Sequence, residues 1–404
     1  KCRNFTKISY HKVKIFAIAA NFIFQTIANT FKKYNMIQSS TSSRVICFFN
    51  TNKEWGGGEK WHFDMARRLH ERGQEVILCA YPESPLYHKA LEAKIPVYSF
   101  KIKNLSFINF QLINKLRNFF KIKQVTHLLL NLPSDLKTAG RAARAANVNH
   151  IIYRRGSAIP ISNSFLNRYL FKNIVNRMIV NSEETKRLIF SGNPNIFDEE
   201  KIHVIYNGID LDNYPKKEEA FRSNDKKEIV LGNVGRLEKQ KNQQFLIDLV
   251  SLLHQKGYNV NLQIAGSGRL EQELKNSIKE RQLEPYIRIL GFTKDVKSFL
   301  MSIDIFVLSS LWEGFGYVIA EALACYRPVV AFDTSSNPEI VSHGNDGFLV
   351  PKNDLNSFAN AIIYLIEDPE LRRSMGDYGA EKVKNSFNIQ TTTTNLMNFL
   401  QQLD

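Results

Sequence analysis

A chain of 404 residues, 44% hydrophobic and 23% charged, is long enough to bury two cores of about 150 to 200 residues each. Its lack of low-complexity tracts excludes a disordered or fibrous protein. Cys2, Cys47, Cys79 and Cys325 show no C-x-x-C or zinc spacing, and Cys47 and Cys79 sit in apolar runs, as buried thiols of a reducing compartment do. The net charge of +15 is uneven: +7 in residues 1–35, +12 in 36–206 and −4 in 207–404. Such asymmetry points the N-terminal half toward an anionic lipid surface, a phosphorylated acceptor or nucleic acid, the alternative being solubility charge spread over helices.

The apolar "VKIFAIAANFIFQTIANTF" has basic flanks but is interrupted by Asn21, Gln25 and Asn29 and shows no small-residue cleavage site. It is expected to be an extension, not a membrane span, and no other stretch is long and apolar enough to span a bilayer. From Arg44 strand and helix signals alternate. "RVICFFN" reads as a strand, and a glycine loop leads into "EKWHFDMARRLHERG", with apolar residues at helical spacing. "QEVILCA" and "IPVYSF" are strands, "INFQLINKLRNFFKIK" a basic amphipathic helix, and "THLLLNL" a strand. "LKTAGRAARAANV" is a helix, "HIIYRRG" a strand, and "RMIVNSEETKRLIF" repeats the strand-then-helix step.

The rhythm restarts after "KIHVIYNGIDLDNY". "EIVLGNVGRL", "VNLQIAG", "IRILGF", "DIFVLSS" and "RPVVAFD" read as strands separated by helical runs. This is an α/β chain of two doubly wound parallel sheets joined near residue 206. Ligands of such sheets bind outside the carboxyl ends of the strands, so two facing sheets make a cleft.

Three loops at strand carboxyl ends carry chemistry. In "KEWGGGEK", Gly56, Gly57 and Gly58 precede a helix whose first amides can face an anion, the bland reading being a flexible turn. In "NVGRLEKQKN", Gly235 permits close backbone approach, and Arg236 and Lys241 suit a diphosphate, the alternative being a solvated basic loop. In "SSLWEGFGYVIAEALACY", Gly314 and Gly316 free amides at a helix start while Glu313 and Glu321 can accept hydrogen bonds from hydroxyls. A diphosphate flanked by two polyols, as in a nucleoside diphosphate sugar, satisfies all of these groups.

"EGFGYVIAEALACYRPVV" resembles the glutamate-x7-glutamate motif of retaining glycosyltransferases of family four, which have the GT-B fold. "GGGEKWHFDMARRLHERGQEV", "VIYNGID", "GRLEKQKN", "IAGSGRLEQEL", "LGF" and "NPEIVSHGNDGFLV" resemble that family's other blocks in order, over roughly residues 44–385. The resemblance implies an N-terminal acceptor-binding domain at 36–206 and a C-terminal donor-binding domain at 207–386. A last helix near 387–404 would cross back to the first, and 1–35 would be an extension. It further implies that Arg236 and Lys241 grip the diphosphate, Glu313 meets the donor sugar, Glu321 meets the ribose, and Gly57 and Gly58 close over the phosphates. Gly235, Gly266, Phe292, Gly314, Phe315 and Gly316 would complete the donor site.

The chain also departs from the family pattern. Arg155 in "YRRG" stands where many members place a catalytic-site histidine, Tyr326 replaces a usual glycine, and "DTSSNPEIV" lacks the usual glycine pair, leaving Ser335, Ser336 and Asn337. Asp210 and Asp212 in "DLD" read as a turn after "NG", not a metal site. The expected function is metal-independent retaining transfer of a sugar to a glycan or lipid-linked acceptor in cell-surface polysaccharide or lipopolysaccharide synthesis. Arg155, Arg236, Lys241 and Glu313 are expected at the catalytic centre. No cofactor beyond the nucleotide sugar and no nucleic-acid partner are expected. The expected place is the cytoplasm, with peripheral association at the anionic inner membrane face. The alternatives are a nucleotide-sugar epimerase of the same fold and a non-catalytic sugar-nucleotide-binding module.

Overall fold

The computed structural model describes residues 44–220 and 228–404, so the expectation for residues 1–35 lies outside the described residues. Among the described residues, thirteen strands form two sheets. The first contains β1 (Val45–Asn50), β2 (Glu75–Ala80), β3 (Val97–Ser99), β4 (His127–Leu130), β5 (His150–Arg155), β6 (Arg177–Val180) and β7 (Ile202–Val204). Its order is β3-β2-β1-β4-β5-β6-β7. The second contains β8 (Ile229–Val234), β9 (Val260–Ala265), β10 (Ile287–Gly291), β11 (Ile305–Leu308), β12 (Val329–Phe332) and β13 (Gly347–Val350), in the order β10-β9-β8-β11-β12-β13. The registers are parallel, as expected where helical crossovers cover both faces.

Burial on both faces explains the unbroken apolar strands. Ile305 and Val307 of β11 pack with Val330 and Phe332 of β12 on one face. Phe306, Leu308, Val329 and Ala331 pack on the other. The helices used below are α1 (Gly57–Glu71), α2 (Phe110–Ile122), α3 (Glu183–Phe190), α4 (Gln243–Gln255), α5 (Tyr317–Ala324) and α6 (Ile389–Gln401). In α1 the buried Trp61, Met65, Ala66 and Leu69 lie at helical spacing and seat it on the first sheet.

The chain passes between the two sheets twice. The segment before the second sheet meets the segment before α6, where the Ile209 amide donates to the Phe387 carbonyl at 2.7 Å and the Ile389 amide to the Ile209 carbonyl at 3.0 Å. Beyond this crossing, Leu396, Phe399 and Leu400 of α6 join the core of the first sheet beside Ile46 and Leu69.

Candidate active site

Strand order reverses between β1 and β4 in one sheet and between β8 and β11 in the other, so the loops after these four strands form the natural ligand crevice. In the second sheet the loops are laced together. The Gly235 amide donates to Ala265 and the Leu237 amide to Ser267, each at 3.0 Å, and the Gly266 amide donates to Gly291 at 2.7 Å. A Cβ on Gly266 would lie 1.8 Å from the Gly235 carbonyl oxygen, so that crossing admits only glycine. Ser309 Oγ donates to the Lys241 and Asn242 carbonyls at 3.0 and 2.9 Å, joining the basic loop to the glycine loop.

Lys241 Nζ meets Glu313 Oε1 at 2.5 Å, both side chains nearly buried. Glu313 thereby tethers the ammonium to the residue that precedes the Gly314–Gly316 turn, with further N–H donors left for other acceptors. Gly316, at φ 72° in the left-handed region, starts α5 and turns its amides outward. Phe315 is buried beneath this turn. Arg236 is exposed at the cleft edge. Phe292 is 73% exposed at the end of edge strand β10, apart from the switch-point loops.

Glu321 is contacted from both sides of the cleft. It accepts a hydrogen bond from Tyr214 and lies 3.9 Å from Lys60 Nζ of α1. Burial raises its carboxyl above the ordinary range, with Lys60 and the Tyr214 hydroxyl opposing. Burial, then Glu321, raises the Tyr214 phenol. Lys60 also stands 5.0 Å over the Tyr317 ring, and that ring covers Gly57, 3.3 Å from where a Cβ would be. Gly58 packs on Asn131. Neither Lys60, Tyr214 nor Tyr317 is singled out by the sequence. The available signal is Lys60 one turn after Gly56 on a helix that faces the cleft.

The glycine run is a seated helix start. Asn50 Nδ2 donates to buried Glu59 at 3.0 Å, and His62 Nδ1 lies 3.2 Å from the Gly58 carbonyl. Burial, with Arg154 adding, holds His62 down at about 3, so it is neutral. Thr51 donates through its amide at 2.9 Å and its hydroxyl at 2.5 Å to Asp135, which burial raises to about 7.

Arg155, expected at the catalytic centre, is not brought to it by its hydrogen bonds. It bonds Tyr153 and the Ile159 carbonyl. Arg154 carries the cleft contacts. Its guanidinium donates to Asn131 at 3.1 Å and Asn207 at 3.0 Å, stacks 4.8 Å over Trp61, and feels the charge of Glu59. Successive side chains of a strand point to opposite faces, so only one arginine can meet this cluster. Asp210 is held by Arg68 at 2.7 Å and Arg67 at 3.4 Å, and Leu211–Asn213 form a short 3-10 turn. His127, His150 and Asp404 gather elsewhere, with ligand atoms within 4.8 Å.

The two departures at glycine positions have a backbone meaning. Tyr326 and Ser335 both hold left-handed φ, 61° and 52°. The loop after β12 keeps the shape that a glycine would give it, and Ser336 Oγ donates to the Glu313 carbonyl at 3.3 Å.

The family profile described as Glycosyltransferase Family 4 matches residues 55–213, and that described as Glycosyl transferases group 1 matches 215–382. A Staphylococcus aureus capsular polysaccharide biosynthesis glycosyltransferase is 33% identical over 226 residues, 53% of this chain and 58% of that protein. An Escherichia coli UDP-Gal:alpha-D-GlcNAc-diphosphoundecaprenol alpha-1,3-galactosyltransferase is 33% identical over 204 residues, 48% and 52%. The match thus spans little more than half of either relative. An uncharacterized Haemophilus influenzae glycosyltransferase is 28% identical over 342 residues, 81% of this chain and 94% of that one. Among solved structures, Anabaena HepE in complex with UDP-glucose has a TM-score of 0.75 at 22% identity, covering 89% of this chain and 99% of that one. The two profiles meet between the two sheets, and the chain belongs to the group 1 glycosyltransferases, enzymes of GT-B architecture.

Proposed function

We propose that the protein moves a sugar from a nucleoside diphosphate sugar, with retention and without a metal, to a glycan or lipid-linked acceptor of a cell-surface polysaccharide. The observation that carries this reading is the Lys241–Glu313 pair beside the Gly314–Gly316 helix start, facing Lys60 and the glycine-led α1 across the cleft. Lys241, Arg236 and the α5 amides would hold the diphosphate and stabilise its departure, while Glu313 and Glu321 accept hydroxyls of sugar and ribose. The bond from the anomeric carbon to the phosphate oxygen breaks as the acceptor oxygen bonds the same face. The acceptor proton passes to the leaving phosphate oxygen, which leaves no step for a protein base.

The E. coli relative and the HepE complex favour a UDP-sugar as the first donor to try, and the former favours a lipid diphosphate acceptor. Work at the anionic inner membrane face fits the +12 charge of residues 36–206 and the exposed Leu105, Ile108 and Phe110 leading into basic α2. No helix among the described residues is long and apolar enough to cross a membrane. The test is transfer from UDP-sugars to a polyprenyl-diphosphate sugar in EDTA, with nuclear magnetic resonance of the first-formed product. Retained anomeric configuration without added metal is expected. An inverted product, or activity that returns only with magnesium or manganese, overturns the mechanism.

A further inference from the structure

Glu339 makes a direct polar contact between the two sides, and no part of the donor site as described uses it. It lies in the short helical turn Asn337–Ile340 after β12, and its carboxylate reaches the first-domain helix α3. There Oε2 accepts from the Glu183 amide at 2.8 Å and Oε1 from the Glu184 amide at 2.9 Å. The first-turn amides of a helix have no partner within the helix, and the helix dipole favours an anion beside them. Ser182, the residue preceding α3, takes the next amide, that of Thr185, at 3.0 Å. One helix start is therefore capped partly by its own chain neighbour and partly by a residue more than 150 positions away in the opposite domain.

Two further contacts place this cap in the working parts of the cleft. The Tyr206 hydroxyl, from the segment crossing between the sheets, donates to Glu339 Oε2 at 3.0 Å. Ser182 Oγ donates to the carbonyl of Gly314 at 2.8 Å. A Cβ on Gly314 would lie 2.0 Å from the Gly156 carbonyl oxygen, so the glycine turn and the first domain touch backbone to backbone. Upstream of Glu339, Ser336 holds the Glu313 carbonyl. The phosphate turn and the Glu339 turn therefore meet α3 as one unit.

We propose that Glu339 is a positioning residue for the transfer reaction, its carboxylate fastening the donor side of the cleft to the start of α3 so that closure brings the phosphate turn and the first domain into register. This rests on the transferase reading for its consequence, though not for its geometry. Opening the cleft removes both α3 amide donors from the carboxylate at once and returns them to solvent, while Tyr206, packed on Phe315 and Phe387, stays on the Glu339 side.

The experiment measures amide hydrogen exchange of the ligand-free protein beside steady-state transfer from UDP-sugars. In Glu339→Gln, exchange at Glu183 and Glu184 should rise about tenfold or more, the loss of a charge-assisted bond. The Thr185 amide, capped within its own domain, and the sheet amides should stay within about twofold. Turnover should fall about tenfold with little change in donor KM, because the carboxylate is taken up by the two α3 amides and the Tyr206 hydroxyl. Glu339→Asp, which keeps the charge on a shorter arm, should lie between the two. Unchanged exchange at Glu183 and Glu184 overturns the proposal. So does a rise that spreads equally to Thr185 and the sheet, which would mean general loosening. Exchange needs no donor, so a protein that transfers no sugar would defeat the proposed function and leave the fastening still decided by this readout.

Discussion

The two sides of the cleft solve their tasks with different materials. The second-domain side is largely backbone: crossed glycine loops, left-handed turns at Gly316 and Ser335, and the Lys241–Glu313 ion pair. The first-domain side is a buried polar floor in which Glu59, Asp135 and Arg154 are each held by a partner from another element and His62 meets the Gly58 carbonyl of its own helix. A site made of backbone can present itself to solvent and ligand cheaply. A site made of buried ionisable groups depends on its neighbours for its charge state, so the two sides should respond differently to pH and to side-chain removal.

The largest expected effect is one that the intact protein conceals. Asp135, raised to about 7, makes the folded state hold an extra proton between its unfolded value near 4 and pH 7, so its contribution is present at low pH and lost as pH rises. His62, lowered to about 3, does the reverse: its contribution is present above its unfolded value near 6.5 and lost as pH falls toward 3. Between about pH 4 and 6.5 the two slopes oppose. Stability against urea should therefore fall with pH in His62→Gln and rise with pH in Asp135→Asn, by about 3.4 kcal/mol each across the window. Parallel profiles in both variants would break the comparison.

Arg154→Ala should come next, costing about 3 kcal/mol, because Asn131 and Asn207 are left without their donor and Trp61 without its stacked cation. Chemical denaturation measures this, and Arg155→Ala is the control that should stay well below it. On the second-domain side the loss should reach activity. Lys241→Ala should cut kcat/KM about 10- to 100-fold, matching about 1.5–3 kcal/mol for a charge-assisted contact, and should also lower stability because the nearly buried Glu313 carboxylate loses its cation. Wild-type kinetics in that variant would remove Lys241 from the site. The smallest effect belongs to Tyr326, held at φ 61°. Tyr326→Gly should stabilise the fold by about 0.5–1 kcal/mol, the relief of a left-handed residue less the entropy that glycine adds to the unfolded chain.

The same contrast governs what can be read from sequence. The two sheets were legible because strand and helix periods alternate without interruption, and the glycine loops because glycine and charge at a strand end say what the backbone must do there. The floor was not. In "HIIYRRG" the middle of a strand covered on both faces, Ile151 to Tyr153, is apolar without alternation, so nothing in the run gives the parity that separates Arg154 from Arg155. Lys60, Tyr214 and Glu321 meet from three separate elements, and no spacing rule joins them. Glu339 lay in a recognised block, but its partner is a pair of amides, which leave no mark in a sequence.

The paired crossing has a consequence for how the molecule is made. Leu396, Phe399 and Leu400 complete a core begun by Ile46 and Phe48, although the whole second sheet is encoded between them. On a ribosome adding about 5–20 residues per second, the first sheet emerges early and waits some tens of seconds for its closing helix. In that interval the face destined for α6 is uncovered, while the second sheet has every strand it needs before α6 exists. The domain translated first is thus the one finished last, and nascent chains halted before residue 389 should expose apolar surface on the first sheet alone.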